Sequence, residues 1–379
     1  MGDHHFHLIH FTLKKKLSEM YLFIFISSLA FSMIGVFIPL YLLYELQYSF
    51  ISVLLFYILF FFIFGFTTPF VAKLSGKIGF KHAILLSMPL LIIFYGLLYI
   101  IKINPDLYYL TAVVFGLSKS FFWVPFHSNF TKFSDRKHRG EEIGIWYLVA
   151  IIFSVIGPLM GAFILTYLNF GWLFFIVSLL SFVSVIPLFY SKEVYGRYDF
   201  KLKGLKENWR DVISFIGYGM KLVAVQLFWP IFVFIILNSY LELGSIISIA
   251  TLFTGFFSWF IGRFSDITDR SEMLRSGSLF EGIVWFVKIF ARTFWQFLGL
   301  SVLGMLSFTM ADIPFMAKVY NKAQKKVLDY IVFREVYVTI GRLFIMISVL
   351  FLAVFLPLEL VLMISLGLAG IASFLHMYF

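Results

Sequence analysis

Apolar residues in this chain do not alternate with polar ones. They come in long runs separated by short charged clusters. A helix needs about 20 apolar residues to cross a hydrocarbon layer. On that measure the sequence predicts twelve helices, at 20–44, 48–71, 83–102, 107–130, 143–167, 171–190, 212–239, 243–261, 276–293, 297–317, 329–353 and 358–377. The run 20–44 holds no charged residue. Residues 143–191 are also uncharged but too long for one crossing, so the chain is expected to turn back at Asn169-Phe170-Gly171. The least apolar run is 276–293, with Glu281, Lys288 and Arg292. Membrane β-strands would show alternation, and these runs are continuous.

Composition narrows the class. Of 379 residues, 61% are hydrophobic and 13% charged, with a mean hydropathy of +0.96. Soluble domains average about 45–50% apolar and about 25% charged, and no single core could hide this excess. The absence of Cys excludes a disulfide scaffold. The 52 Phe residues read as filler of lipid-facing positions. Outside the spans, every Lys and Arg falls on one side except Lys102 and Arg292. The positive-inside rule makes the basic side, with both termini, cytoplasmic. The expected location is the cell membrane, inner or plasma. The net charge of +10 then reflects loops facing anionic lipid rather than nucleic acid. The first apolar run exceeds a signal h-region and lacks a small-residue cleavage site, so no cleavable leader is expected. His4, His5, His7 and His10 could bind a metal, but a disordered or tag-derived tail is the preferred reading.

The longest charged connection after the first turn is 191–211, with six spans before it and six after. That predicts an N-terminal bundle at 1–190, a cytoplasmic linker at 191–211 and a C-terminal bundle at 212–379. An internal repeat agrees. Residues 72–81, AKLSGKIGFK, and 262–271, GRFSDITDRS, lie half a chain apart, each between the second and third spans of its half. Val124-Pro125-Phe126 and Ile313-Pro314-Phe315 echo each other in the fourth spans. The first pair is similar to the signature G-x-L-(S/A)-D-R-x-G-R-K. Leu74, Ser75, Gly79 and Lys81 fit in copy one, with Lys77 for the Arg; Gly262, Ser265, Asp266 and Arg270 fit in copy two. On these residues the chain resembles the major facilitator superfamily of transporters over nearly its whole length. The resemblance implies a monomeric all-α polytopic membrane protein, two pseudo-symmetric six-helix bundles around one site, and no cofactor. It marks Lys73, Lys77, Gly79, Lys81, Gly262, Arg263, Asp266 and Arg270 as gating loops. Copy one has Gly76 where the signature has its acid, so Asp266 is expected to carry more of the latch. Gly144, Gly157, Pro158 and Gly161 are similar to the antiporter motif of the fifth span, which implies efflux by proton antiport; helix packing is the competing reading of those residues.

Ionisable groups inside a bilayer are costly and usually face a cavity or a partner. Lys119 stands alone mid-span, and related exporters often carry an Arg near that depth. Arg342 and Lys288 are deep as well, with the acids Glu281, Asp312 and Glu335 to pair them or to carry protons. Glu281 lies on the helical face of Lys288, and either it or Asp312 could anchor Lys288 or Arg334, a structural role being preferred for both acids. Arg334 and Lys221 lie near enough to the cytoplasm to snorkel. Trp123, His127, Gln226 and Trp229 are candidate cavity-lining groups. The substrate-binding or proton-relay candidates are thus Lys119, Trp123, His127, Gln226, Glu281, Lys288, Asp312 and Arg342.

No G-x4-G-K-(S/T) loop occurs, so nucleotide hydrolysis is not built into the chain. An integral-membrane transferase would need clustered acids for a metal, and the nearest approach is Asp266 with Asp269. The leading reading is a secondary transporter of a small organic solute, with proton-coupled export first and uptake of an anionic metabolite second. A non-transporting sensor or scaffold with the same fold is the other class. The expected partners are the solute, protons and lipid.

Overall fold

Helices follow the apolar runs. The computed structural model describes residues 18–134, 139–190, 193–198 and 208–379, and within these every element is helical. The N-terminal histidines, Lys14 to Lys16, Arg136, Lys137, Lys192, Lys201, Lys203, Lys206 and most of the 191–211 connection lie outside the described residues.

Helix α1 (Ser18–Ile34) continues through Ile38–Leu40 into a π-turn at Tyr41–Glu45. Then come α2 (Phe50–Ile78), α3 (Phe80–Ile100), α4 (Tyr108–Phe133), α5 (Arg139–Ser154), α6 (Ile156–Tyr167) and α7 (Phe170–Ser184). Later in the chain, α8 (Trp209–Val223) runs through a π-turn at Ala224–Phe228 into α9 (Trp229–Leu237). The remainder is α10 (Tyr240–Ile267), α11 (Arg270–Lys288), α12 (Phe294–Ala323), α13 (Val327–Phe355) and α14 (Leu358–His376). Their starts obey local chemistry. Ser49, Asn169, Ser239 and Asp269 each accept a hydrogen bond from a first-turn amide, and Thr293 with Gln296 forms a capping box. The reversal expected at Asn169-Phe170-Gly171 is there, with Asn169 as the cap of α7.

Among the described residues ten helices are long and apolar enough to cross a membrane. Two expected spans do not qualify, for different reasons. The 143–167 span is broken at Val155 into α5 and α6. Pro158 has no N–H and its ring crowds the carbonyl four residues back. The freed amide of Leu159 donates instead to Ser248 Oγ of α10, at 3.1 Å, as a buried backbone group must. The 276–293 span is α11, which ends at Lys288 and carries Arg270, Glu272, Arg275 and Glu281.

α1 packs on α5, α6 and α7; α4 on α2 and α3; α8 on α13 and α14; and α11 on α12 and α14. Two seams join early helices to late ones: α10 lies against α5 and α6, and α13 against α2. Small residues let the first seam close. A Cβ on Gly262 would lie 2.6 Å from the carbonyl oxygen of Gly140, and one on Gly244 would lie 2.5 Å from Ala162 Cβ. On the outside, Phe62, Phe66 and Phe70 form an exposed apolar stripe along α2, spaced four residues apart as a lipid-facing row requires.

Candidate functional site

Between the two seams lies a cavity of about 620 Å³, walled by α1, α2, α4, α5, α10, α12 and α13 together with the α8–α9 segment and Trp285 and Lys288 of α11. Most of its wall is aromatic or aliphatic. The π-turn at Ala224–Phe228 turns Gln226 toward it, and Pro230, one turn on, lies in the first turn of α9. Such turns leave the regular helical ladder and frequently mark functional positions.

Of the residues expected at the site, Lys119, Trp123, His127, Gln226, Lys288 and Arg342 line this cavity. Lys119 Nζ sits 4.2 Å from the Phe31 ring centre and 5.4 Å from that of Phe115. Lys288 Nζ is 3.8 Å from the Trp285 ring and 4.5 Å from Trp229. The Arg342 guanidinium is 5.2 Å from Phe61 and 5.3 Å from Phe64, and its buried Nε has no hydrogen-bond partner among the described residues. None of the three has a carboxylate within ion-pair distance among the described residues. His127 Nδ1 is 2.7 Å from the Tyr320 hydroxyl and its Nε2 is 3.9 Å from Glu335.

Two expected site residues lie behind the wall. Glu281 is buried and bonded to Lys221 at 2.7 Å, with His376 Nδ1 a further 3.0 Å contact of that lysine. This corrects two expectations. Lys221 does not snorkel but is fully buried among α8, α11 and α14. Glu281 does not pair with Lys288, because seven residues along one helix separate them by about 10 Å in depth even on a common face. Asp312, also fully buried, accepts a hydrogen bond from the Tyr147 hydroxyl on α5. Arg334 likewise does not reach out. It lines the cavity and forms an ion pair with the adjacent Glu335.

The antiporter-like residues sit where α1 crosses α6. A Cβ on Gly157 would fall 1.9 Å from Ser32 Oγ, and one on Gly161 would fall 2.0 Å from the Met33 carbonyl oxygen. Gly144 abuts Gly262 of α10 across the seam. At the gating turns, Lys73 and Lys77 are exposed, and the Arg263 guanidinium lies 5.8 Å from the Trp259 ring. Asp266 accepts from the amides of Gly140 at 2.9 Å and Glu141 at 2.8 Å and pairs with Arg270.

A sequence model described as Major Facilitator Superfamily matches residues 20–214, just over half the chain. The chain belongs to the Major Facilitator Superfamily. The uncharacterized protein YqgE of Bacillus subtilis (strain 168) is 25% identical over 287 residues, spanning 71% of this chain and 67% of that one. The crystal structure of the human organic anion transporter MFSD10 (TETRAN) superposes with a TM-score of 0.68 at 12% identity, covering 95% of this chain and 98% of that one. The E. coli fucose:proton symporter FucP gives a TM-score of 0.66 at 11% identity, over 94% and 97% of the two chains. At such identities the likeness is one of fold. Superfamily membership and ten apolar helices make this an integral membrane transporter with a small-molecule solute, in a family of carriers rather than enzymes.

Sequence reasoning missed Tyr147 and Tyr320 and misplaced the Arg334–Glu335 pair. The pair had a signal, consecutive opposite charges inside an apolar run. The tyrosines had none, since the chain holds 20.

Proposed function

We propose that this superfamily member is a secondary active transporter that carries a small organic solute by alternating access. The observation that carries the reading is the cavity itself, walled by early and late helices alike and flanked by two inter-helix seams. A site between two packed units that rock about it is how such carriers work. In this reading α5 with α6 make one span and α11 another, so that twelve spans form two halves, 1–190 and 212–379, tethered by 191–211. The basic turns and both termini face the cytoplasm of the cell membrane.

Proton coupling is assigned to Asp312 and Tyr147. A buried carboxylate without an ion-pair partner among the described residues, hydrogen-bonded from α12 to α5, changes its inter-helix contact when it gains a proton. The antiporter-like Gly157-Pro158 segment, beside the helix break at Val155, favours export. Uptake is the second reading, and the lone cations of the cavity are as compatible with it. The same fold serves a human organic anion transporter and a fucose:proton symporter, so neither an anion nor a proton is foreign to it.

The chain has no Cys, so introduced pairs give unique spin-label sites. Tyr190→Cys with Arg275→Cys reports on the basic end, and Tyr109→Cys with Trp295→Cys on the opposite end. Alternating access requires the two distances to change in opposite directions when solute is added or when Asp312→Asn mimics the protonated acid. Distances that stay fixed under every condition would sink the reading.

A further inference from the structure

We infer that the solute is an organic anion with at least two negative groups on an aromatic or otherwise apolar body; this rests on the transporter reading above and names the solute class for the same cavity. Among the described residues the charged lining is Lys119, Lys288, Arg334 and Arg342 against the one carboxylate of Glu335. Arg334 and Glu335 neutralise each other. The other three cations are left with aromatic faces and no carboxylate in ion-pair reach among the described residues.

This is not how the chain treats its structural cations. Lys221 is bonded to Glu281 at 2.7 Å and Lys322 to Asp211 at 2.7 Å. An aromatic face attracts a cation without neutralising it, so each ring pair fixes a positive group while leaving its charge for something else. Gly304 keeps room for one of them, since a Cβ there would lie 2.7 Å from Lys288 Nζ. Unpaired positive charge at membrane depth marks a binding path far more often than a scaffold.

The cations fall into two aromatic settings, which sets the number of anionic groups. Phe60 stacks on Phe115 at 4.2 Å and touches Phe61 at 4.5 Å, joining the rings around Lys119 to those around Arg342. Lys288 is held by Trp229 and Trp285, whose ring contacts among the described residues include neither set. One anionic group therefore fits near Lys119 and Arg342 and a second near Lys288. The apolar wall between them suits an aromatic or aliphatic body in a cavity of drug-like size.

The test uses the full chain in detergent and a matched biphenyl series: dicarboxylate, monocarboxylate, bis-alcohol and bis-trimethylammonium. Affinity is read from ligand-dependent thermal stabilisation. The dicarboxylate is expected to bind about tenfold tighter than the monocarboxylate, and the bis-alcohol more weakly still. Lys119→Met, Lys288→Met and Arg342→Met should each weaken the dicarboxylate by about tenfold or more, leave the bis-alcohol unchanged, and keep or raise the melting temperature of the empty protein. A cation held for structure would lower that temperature instead. Equal binding across the series, preference for the bis-trimethylammonium, or no stabilisation by millimolar dicarboxylate overturns the anion assignment. The label distances separate the two readings. Charge-selective binding with fixed distances removes the transporter and keeps the anion site, whereas distances that move with the bis-trimethylammonium do the reverse.

Discussion

The α2–α3 and α10–α11 turns occupy equivalent places in the internal repeat, yet they hold the molecule together by different means. At the α10–α11 turn a carboxylate reaches across: Asp266 caps the first amides of α5 and binds Arg270. At the α2–α3 turn the equivalent residue is Gly76, and a Cβ there would lie 2.7 Å from the carbonyl oxygen of Gly196. Peptide fills the place of the acid. The Gly196 amide donates to the Gly76 carbonyl at 3.3 Å, and the Phe80 amide donates to the Val194 carbonyl at 2.9 Å. Glu193 of the same segment then caps α3, accepting from the amides of Lys81 at 3.0 Å and His82 at 3.3 Å. Gly79 holds φ +100° beside that carboxylate, a conformation that a residue with a side chain rarely adopts. Both turns satisfy helix amides with an anion, as an exposed N-terminus requires. One joins early to late helices by a single charged contact. The other does so through a strap, residues 193–198, that also touches Leu328 of α13.

The largest effect is expected from Gly262→Val. The atoms in its way are backbone of α5, which cannot swing aside, and overpacking of this kind costs about 1–3 kcal/mol. Thermal unfolding in detergent should show a clear fall, whereas Ala72→Val at the equivalent place in α2 should fall less, because Ala72 already carries a Cβ. Equal losses would break the comparison. Asp266→Ala comes next, at roughly 2 kcal/mol, from a lost cap and a broken, mostly buried pair. It should also widen the label distance at the basic end, and Gly76→Asp should not restore it. Glu193→Ala is expected to cost about 1 kcal/mol, the usual worth of a cap, and to speed hydrogen exchange at the Phe80 and Gly196 amides. Unchanged exchange would mean that the strap is not held by its carboxylate. The smallest change belongs to His82→Ala. Its contact with Glu193 is 2.5 Å long, but the histidine side chain is 56% exposed, so a loss above about 1 kcal/mol would contradict its surface character.

What the sequence discloses is punctuation. The turn at Asn169 within the uncharged run 143–191 and the basic clusters around Lys77 and Arg270 mark where helices stop, and the structure stops them there. The break at Val155 was half legible, since Pro158 announces a bend without saying that Ser248 will take the loose amide. Rotation and depth of one helix against another leave no such mark. Lys221 and Arg334 lie close enough to span ends to reach water, yet neighbouring helices enclose both. Aromatic abundance hid the rings around Lys119, Lys288 and Arg342, because a chain so rich in Phe gives no contrast against which a functional ring stands out. The fold was therefore readable from charge spacing, whereas the partners of the buried charges had to be seen.

Under the proposed alternating access, the lone cations would also act electrically. A full charge crossing 100 mV exchanges about 2.3 kcal/mol with the membrane field. If access alternates as proposed, Lys119, Lys288 and Arg342 would each sweep part of that field. An empty site would then carry three unpaired positive charges, while one filled by a dianion would keep a single net charge and respond to the field less. Across a membrane negative on the basic side, voltage would then favour the empty site facing that side, and depolarisation would slow its return there.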